Sequence, residues 1–272
     1  MKKLFFAMII LSLTFILASC GNNTESSGAD QNETDSSEQD LLATIQDEGT
    51  LIIGTEGTYR PYTFHDESGA LTGFDVEIAK EVANRLGVEA EFKETQWDAM
   101  FAGLDAKRFD MIANQVGIKE ERLKKYDFSN HYITSSAVLV TSEDNSEVTN
   151  FEDIKGLKAA QSLTSNYADI AKQYEAEIVS VEGFNQAIDL LNTDRVDVTI
   201  NDKITILDYK KVKPDAPVKI AATSEDASQS GFMFRQGNDT LVQAVNEALE
   251  EMIEDGTYLE ISKKWFGEDV LN

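Results

Sequence analysis

Four cationic side chains, Lys119, Arg122, Lys124 and Lys125, crowd into seven residues of a chain with 49 acidic residues, 24 basic ones and a formal charge of -25. They follow a short apolar run that ends at Gln115, Val116 and Gly117. A strand ending there, with a helix opening at "IKEER", would aim free backbone N–H groups and the planar Arg122 guanidinium at one place. That combination suits a carboxylate, with the lysines as its solvated fringe. Asp202 closes a second apolar run, "VDVTIN", and offers a lone negative charge; its type and place also fit an N-cap for "KITILDY". Aromatic side chains stand close to these openings: Tyr59, Tyr62 and Phe64 in "GTYRPYTF", Trp97 at a helix start, and Tyr167 in "SLTSNY". Tyr59 and Trp97 are read as pocket walls, Tyr62 and Phe64 as packing. A cation, an anion and an aromatic wall describe a pocket for a zwitterion, and an α-amino acid fits.

Other chemistries find no support. His65 and His131 have no Cys or carboxylate at metal-ligand spacing, so no metal is expected. There is no Ser-His-Asp set, no cysteine in the body and no phosphate loop, so neither catalysis nor a cofactor is expected. The acidity argues against nucleic acid, which needs clustered Lys and Arg over a broad face.

The elements that must position these residues alternate between short apolar strands and amphipathic helices. "TLIIGTE", "VEAEFKE", "FDMIANQ", "AVLVTS", "KAAQS", "EIVSVEG", "VDVTIN" and "GFMF" read as strands; "FDVEIAKEVANRL" sets Phe74, Ile78, Val82 and Leu86 on one helical face. This is an α/β pattern with largely parallel sheets. "WDAMFAGLDAKRFDMIANQ" (97–115) and "FNQAIDLLNTDRVDVTIND" (184–202) align without a gap, matching Leu104 with Leu191, Arg108 with Arg195, Asp110 with Asp197 and Asn114 with Asn201. Each copy reads as helix, tight turn, strand. Two copies suggest two lobes of similar construction, with Gln115 and Asp202 at equivalent carboxyl ends of strands, where open α/β sheets bind ligands.

The first nineteen residues have a basic start, an apolar run and small residues before Cys20, the chain's one cysteine. They read as an export signal, and "LASC" resembles the lipobox of bacterial lipoproteins, which makes Cys20 the lipidated residue. The acidic, apolar-poor stretch that follows, to Asp40, reads as a disordered tether. The expected location is therefore the outer side of the cell membrane, with the body held there by lipid.

"GTEGTYRPYTF", "LTGFDVEIAKEVANRLG", "QWDAMFAGLDAKRFDMI", "KEERLKKYDFSNHY" and "EDGTYLEISKKWFG", in this order and spacing, resemble the extracellular solute-binding proteins of polar-amino-acid ABC importers. "EGTY" together with "NQV" is most similar to the L-cystine-binding members. The resemblance implies a two-lobed, hinged α/β fold of the periplasmic-binding-protein (Venus-flytrap) kind, and a monomer that delivers its ligand to a permease and its ATPase. It implies two hinge crossings, through "HYITSSA" and "EDASQSG", with lobe 1 formed by 41–134 and 228–272 and lobe 2 by 135–227. Residue by residue, it implies that Arg122 clamps the α-carboxylate, Asp202 takes the α-ammonium, and Tyr59 and Trp97 sandwich the side chain. The loop from Ser162 to Tyr167, with Thr164, Ser165 and Asn166, would add backbone and hydroxyl donors. Gly117 replaces a frequent Thr, and Thr164-Ser165 replaces a usual Gly-Thr. A ligand with two amino-acid heads, such as cystine, needs a second anion, for which Glu56 is the candidate, with Gln115 at the same far end. The rival readings are an exported dehydratase of aromatic-precursor acids on the same scaffold and a sensor module for a membrane kinase.

Overall fold

The computed structural model describes residues 40–272. The expected signal, Cys20 and all of the tether but Asp40 lie outside them. Asp40 accepts a hydrogen bond from Leu42 N and caps the helix Leu41–Glu48.

Helix Phe74–Arg85 shows how pattern becomes packing. Phe74, Ile78 and Val82 are buried, while Asp75 and Glu77 occupy its first turn and Arg85 its last, the charge order that complements a helix dipole. Its apolar stripe joins the core with Leu51 and Ile53 of strand Thr50–Thr55.

Two five-stranded sheets carry the molecule. The first runs Glu89–Glu94, Thr50–Thr55, Met111–Ile112, Met233–Arg235, Tyr126–Phe128; the second runs Glu177–Ser180, Lys158–Gln161, Val198–Asp202, Ile133–Ser142, Val218–Ser230. In both, the first three strands are parallel and the last two pairings antiparallel. The chain passes from the first sheet to the second between Phe128 and Ile133, and returns between Ser230 and Met233. The two crossing strands pair with each other, Ile133 with Ser230 and Ser135 with Ser228. The result is the two-lobed, hinged α/β fold.

The internal repeat is physical. In each copy the residue before the matched arginine turns left-handed, Lys107 at φ 57° and Asp194 at φ 53°. In each, the matched aspartate reaches across to a neighbouring strand: Ile52 N donates to Asp110 Oδ2 at 3.0 Å, and Lys158 N to Asp197 Oδ2 at 2.7 Å.

Two features depart from the sequence reading. Val218–Ser230 is a thirteen-residue strand, although the sequence pattern marks no strand there and the resemblance implies only a hinge crossing through "EDASQSG". It is an edge strand, and most of its residues are exposed or half-buried, so it carries no apolar run. Three short strands, Thr58–Tyr59, Thr63–His65 and Leu71–Thr72, form a separate meander that seats the "GTYRPYTF" aromatics.

Candidate ligand-binding site

The carboxyl ends of parallel strands from both sheets meet at one cavity. Glu56 and Asn114 come from the first lobe, and Gln161, Ser162, Thr199 and Asn201 from the second. The space free of atoms there, about 500 Å³, includes open solvent. About 50 Å³ of it admits the centre of a water-sized sphere, room for a few waters.

The cleft is closed. Tyr59 Oη donates to Asn201 Oδ1 at 2.8 Å and Tyr62 Oη to Asp202 Oδ1 at 2.7 Å. Arg60 pairs with Asp208 at 2.9 Å, and Asn185 Nδ2 donates to Thr58 O at 3.1 Å. On another part of the rim Arg122 Nη2 donates to Thr164 O at 3.0 Å, and Lys119 pairs with Asp169.

Of the residues singled out from the sequence, Glu56, Tyr59, Trp97, Gln115, Ser165 and Asn166 line the cavity. Gly117, Arg122, Thr164 and Asp202 do not. Arg122 is 6% exposed. Its Nη1 donates to Gly117 O at 2.9 Å, and its guanidinium lies 5.5 Å from the Trp97 ring and 5.3 Å from that of Phe101. Burial lowers its pKa to about 10, so it is a cation at neutral pH. A Cβ on Gly117 would stand 3.6 Å from Arg122 Nη1 and 3.8 Å from the Asn166 amide, which places the three side by side. Asp202 caps helix Lys203–Val212: Ile204 N and Thr205 N, together with Tyr62 Oη, converge on its Oδ1. Burial raises its carboxyl pKa.

Ser165 likewise spends its hydroxyl locally, accepting from Ala168 N and donating to Ser162 O. The N–H groups of Leu163 and Thr164, expected to face a ligand, donate instead to Asp98 of the other lobe. Gln115, left-handed at φ 52°, gives both its backbone N–H and its Nε2 to Asp75 at 2.7 Å. Asp75 is fully buried, and that burial pushes its carboxyl up to about 6.

Glu56 is the one carboxyl among the described residues that line the cavity. Asn114 clasps it twice, accepting from Glu56 N at 2.8 Å and donating to Oε2 at 2.6 Å. Lost solvation, partly offset by Asn114, pushes its carboxyl up to about 7. Its Oε1 points toward the second lobe, where a Cβ on Gly183 would stand 3.2 Å away.

Sequence reasoning passed over Gln161 and assigned no ligand role to Asn114 and Asn201. Both asparagines were visible as matched positions of the repeat, and Gln161 as the end of "KAAQS". Gln161 Nε2 and Trp97 Nε1 are buried with no hydrogen-bond partner among the described residues. An unpaired buried donor costs about 1–3 kcal/mol. A ligand with acceptors for these groups recovers that energy, while one with a cationic group satisfies Glu56. The lining therefore suits a zwitterionic solute.

The family model of bacterial extracellular solute-binding proteins, family 3, matches residues 51–268. The L-cystine-binding protein TcyA of Bacillus subtilis is 48% identical over 99% of both chains. A substrate-binding protein of an ABC uptake transporter from Streptococcus pneumoniae, solved with bound histidine, is 30% identical and superposes with a TM-score of 0.80, over 86% of this chain and 99% of the other. The L-cystine solute receptor of Neisseria gonorrhoeae, solved unliganded and open, is 46% identical over 85% of this chain and 99% of its own. Its TM-score is only 0.57. That structure is open, whereas the cleft here is closed by contacts such as those of Tyr59 with Asn201 and Tyr62 with Asp202.

Proposed function

Since this chain belongs to the bacterial extracellular solute-binding proteins of family 3, we propose that its ligand is L-cystine, captured outside the cytoplasm and delivered to an ABC permease with its ATPase. The relatives are binding proteins, and this chain is a binding protein and not an enzyme. The cystine assignment is supported by one observation above the others, the Glu56 carboxylate facing the cavity. A single-headed neutral amino acid carries one ammonium; cystine carries two, and the second needs an anion of its own. Arg122, beside Gly117 and Asn166, supplies positive potential for a carboxylate, Gln161 and Trp97 supply donors, and Tyr59 and Trp97 supply the aromatic walls. Asp202 contributes negative potential from behind Asn201. The protein acts as a monomer, tethered through lipid on Cys20 to the outer face of the cell membrane.

Calorimetric titration of the ligand-stripped protein with L-cystine, L-glutamine, L-cysteine and L-arginine tests the reading. Tight one-to-one cystine binding with weak or no response to the others is expected. Preference for another of the four overturns the cystine assignment and leaves the solute-binding role standing.

A further inference from the structure

Asp98 does not line the cavity, yet it makes three hydrogen bonds to the opposite lobe. Thr164 N donates to Oδ1 at 3.0 Å, Thr164 Oγ1 to the same oxygen at 2.7 Å, and Leu163 N to Oδ2 at 3.2 Å. Arg122 takes the remaining polar group of Thr164, its carbonyl oxygen, at 3.0 Å. Every polar group of one residue in the second lobe is thus held by the first lobe.

Asp98 sits in the first turn of helix Trp97–Asp105, a position that an acidic residue favours for the helix dipole alone. That role needs no partner outside the helix. Here both of its oxygens are committed across the cleft, to a loop that runs from strand Lys158–Gln161 into helix Asn166–Gln173. The preceding residue, Trp97, lines the cavity, so one helical turn touches both the ligand space and the closure contact.

We infer that Asp98 is a closure latch, a positioning residue that sets ligand affinity by holding Thr164 and Leu163 when the lobes are shut. When the lobes part, its partners are replaced by water, so its bonds favour only the closed state. A contact that differs between two states shifts the balance between them, and a ligand bound by one state has an apparent affinity proportional to that state's population. The latch therefore slows ligand escape without touching the ligand. It rests on the capture of an amino acid proposed above.

The test compares the protein with Asp98→Ala, Thr164→Val and the double variant, using stopped-flow fluorescence with whichever of the four amino acids binds the unsubstituted protein. Asp98→Ala is expected to raise the dissociation rate about threefold to tenfold, the scale of charged contacts at an exposed rim, with association and ligand-free melting little changed. The double variant is expected to lose less than the sum of the two single losses, the mark of residues in contact. An unchanged dissociation rate in Asp98→Ala, or fully additive losses, overturns the latch. If none of the four amino acids binds, the ligand assignment fails separately, and amide exchange decides the latch. Leu163 and Thr164 amides that exchange faster in Asp98→Ala than in the unsubstituted protein uphold it; equal rates overturn it.

Discussion

Glu56→Gln separates a cation-binding carboxylate from an ordinary buried one. Glutamine keeps the size of the side chain and an oxygen for Asn114 Nδ2, but removes the charge. A hydrogen bond to a charged group contributes about 1.5–3 kcal/mol, so the cystine Kd should rise about tenfold to a hundredfold. The pH profile carries more information. With a carboxyl near 7, the ligand-free site is about half ionised at pH 7, and an ammonium requires the ionised form. Affinity should therefore weaken about tenfold from pH 8 to pH 6, one pKa unit corresponding to 1.36 kcal/mol. Binding at pH 7 should release about half a proton per cystine, measured by calorimetry in buffers of different ionisation heat. Glu56→Gln should flatten both effects. The stability of the ligand-free protein moves oppositely. A carboxyl whose folded pKa lies above its unfolded value stabilises fully below about 4.5 and loses that contribution as pH rises toward about 7. Glu56→Gln should thus raise the ligand-free melting temperature at pH 8 and leave it nearly unchanged at pH 4. Equal cystine affinity and an equal pH profile in Glu56→Gln and the unsubstituted protein would refute the reasoning.

Three further outcomes are expected. Arg122→Ala should weaken amino-acid binding by about tenfold to a hundredfold in calorimetry, since a hydrogen bond to a charged group contributes about 1.5–3 kcal/mol, while far-ultraviolet circular dichroism shows a folded chain. Gln161→Leu removes a donor with no partner among the described residues, so urea melts should show a gain of about 1 kcal/mol while ligand affinity falls about tenfold. Asp110→Ala and Asp197→Ala each delete an equivalent strand-to-strand contact; Asp110→Ala should cost about 1–3 kcal/mol in urea denaturation and Asp197→Ala less, because Asp110 is half-buried and pairs with Arg235 while Asp197 is exposed.

What could be read from the sequence was local or repeated. Helix Phe74–Arg85 showed itself by period, because one buried face repeats every three to four residues. The two copies at 97–115 and 184–202 aligned because the same turn, the same reaching aspartate and the same terminal asparagine are needed in both lobes. The edge strand Val218–Ser230 left no such mark, since a strand that buries few side chains has no alternation to betray it. The difference is sharpest at the site. Residue types alone identified a cation, an anion and aromatic walls, and those types followed the chemistry of a zwitterion; Glu56 as a second anion came only with the resemblance to cystine-binding proteins. Which of them face the cavity was decided by closure. Asp202 turned its Oδ1 to a helix start and to Tyr62, and Arg122 found carbonyls in both lobes. Asp98, unremarked in the sequence, took the loop amides that a ligand was expected to use. Each is a hydrogen bond to a backbone group or to a residue distant along the chain. Spacing along a sequence specifies which groups are present, but only the packed backbone specifies which partner reaches them first.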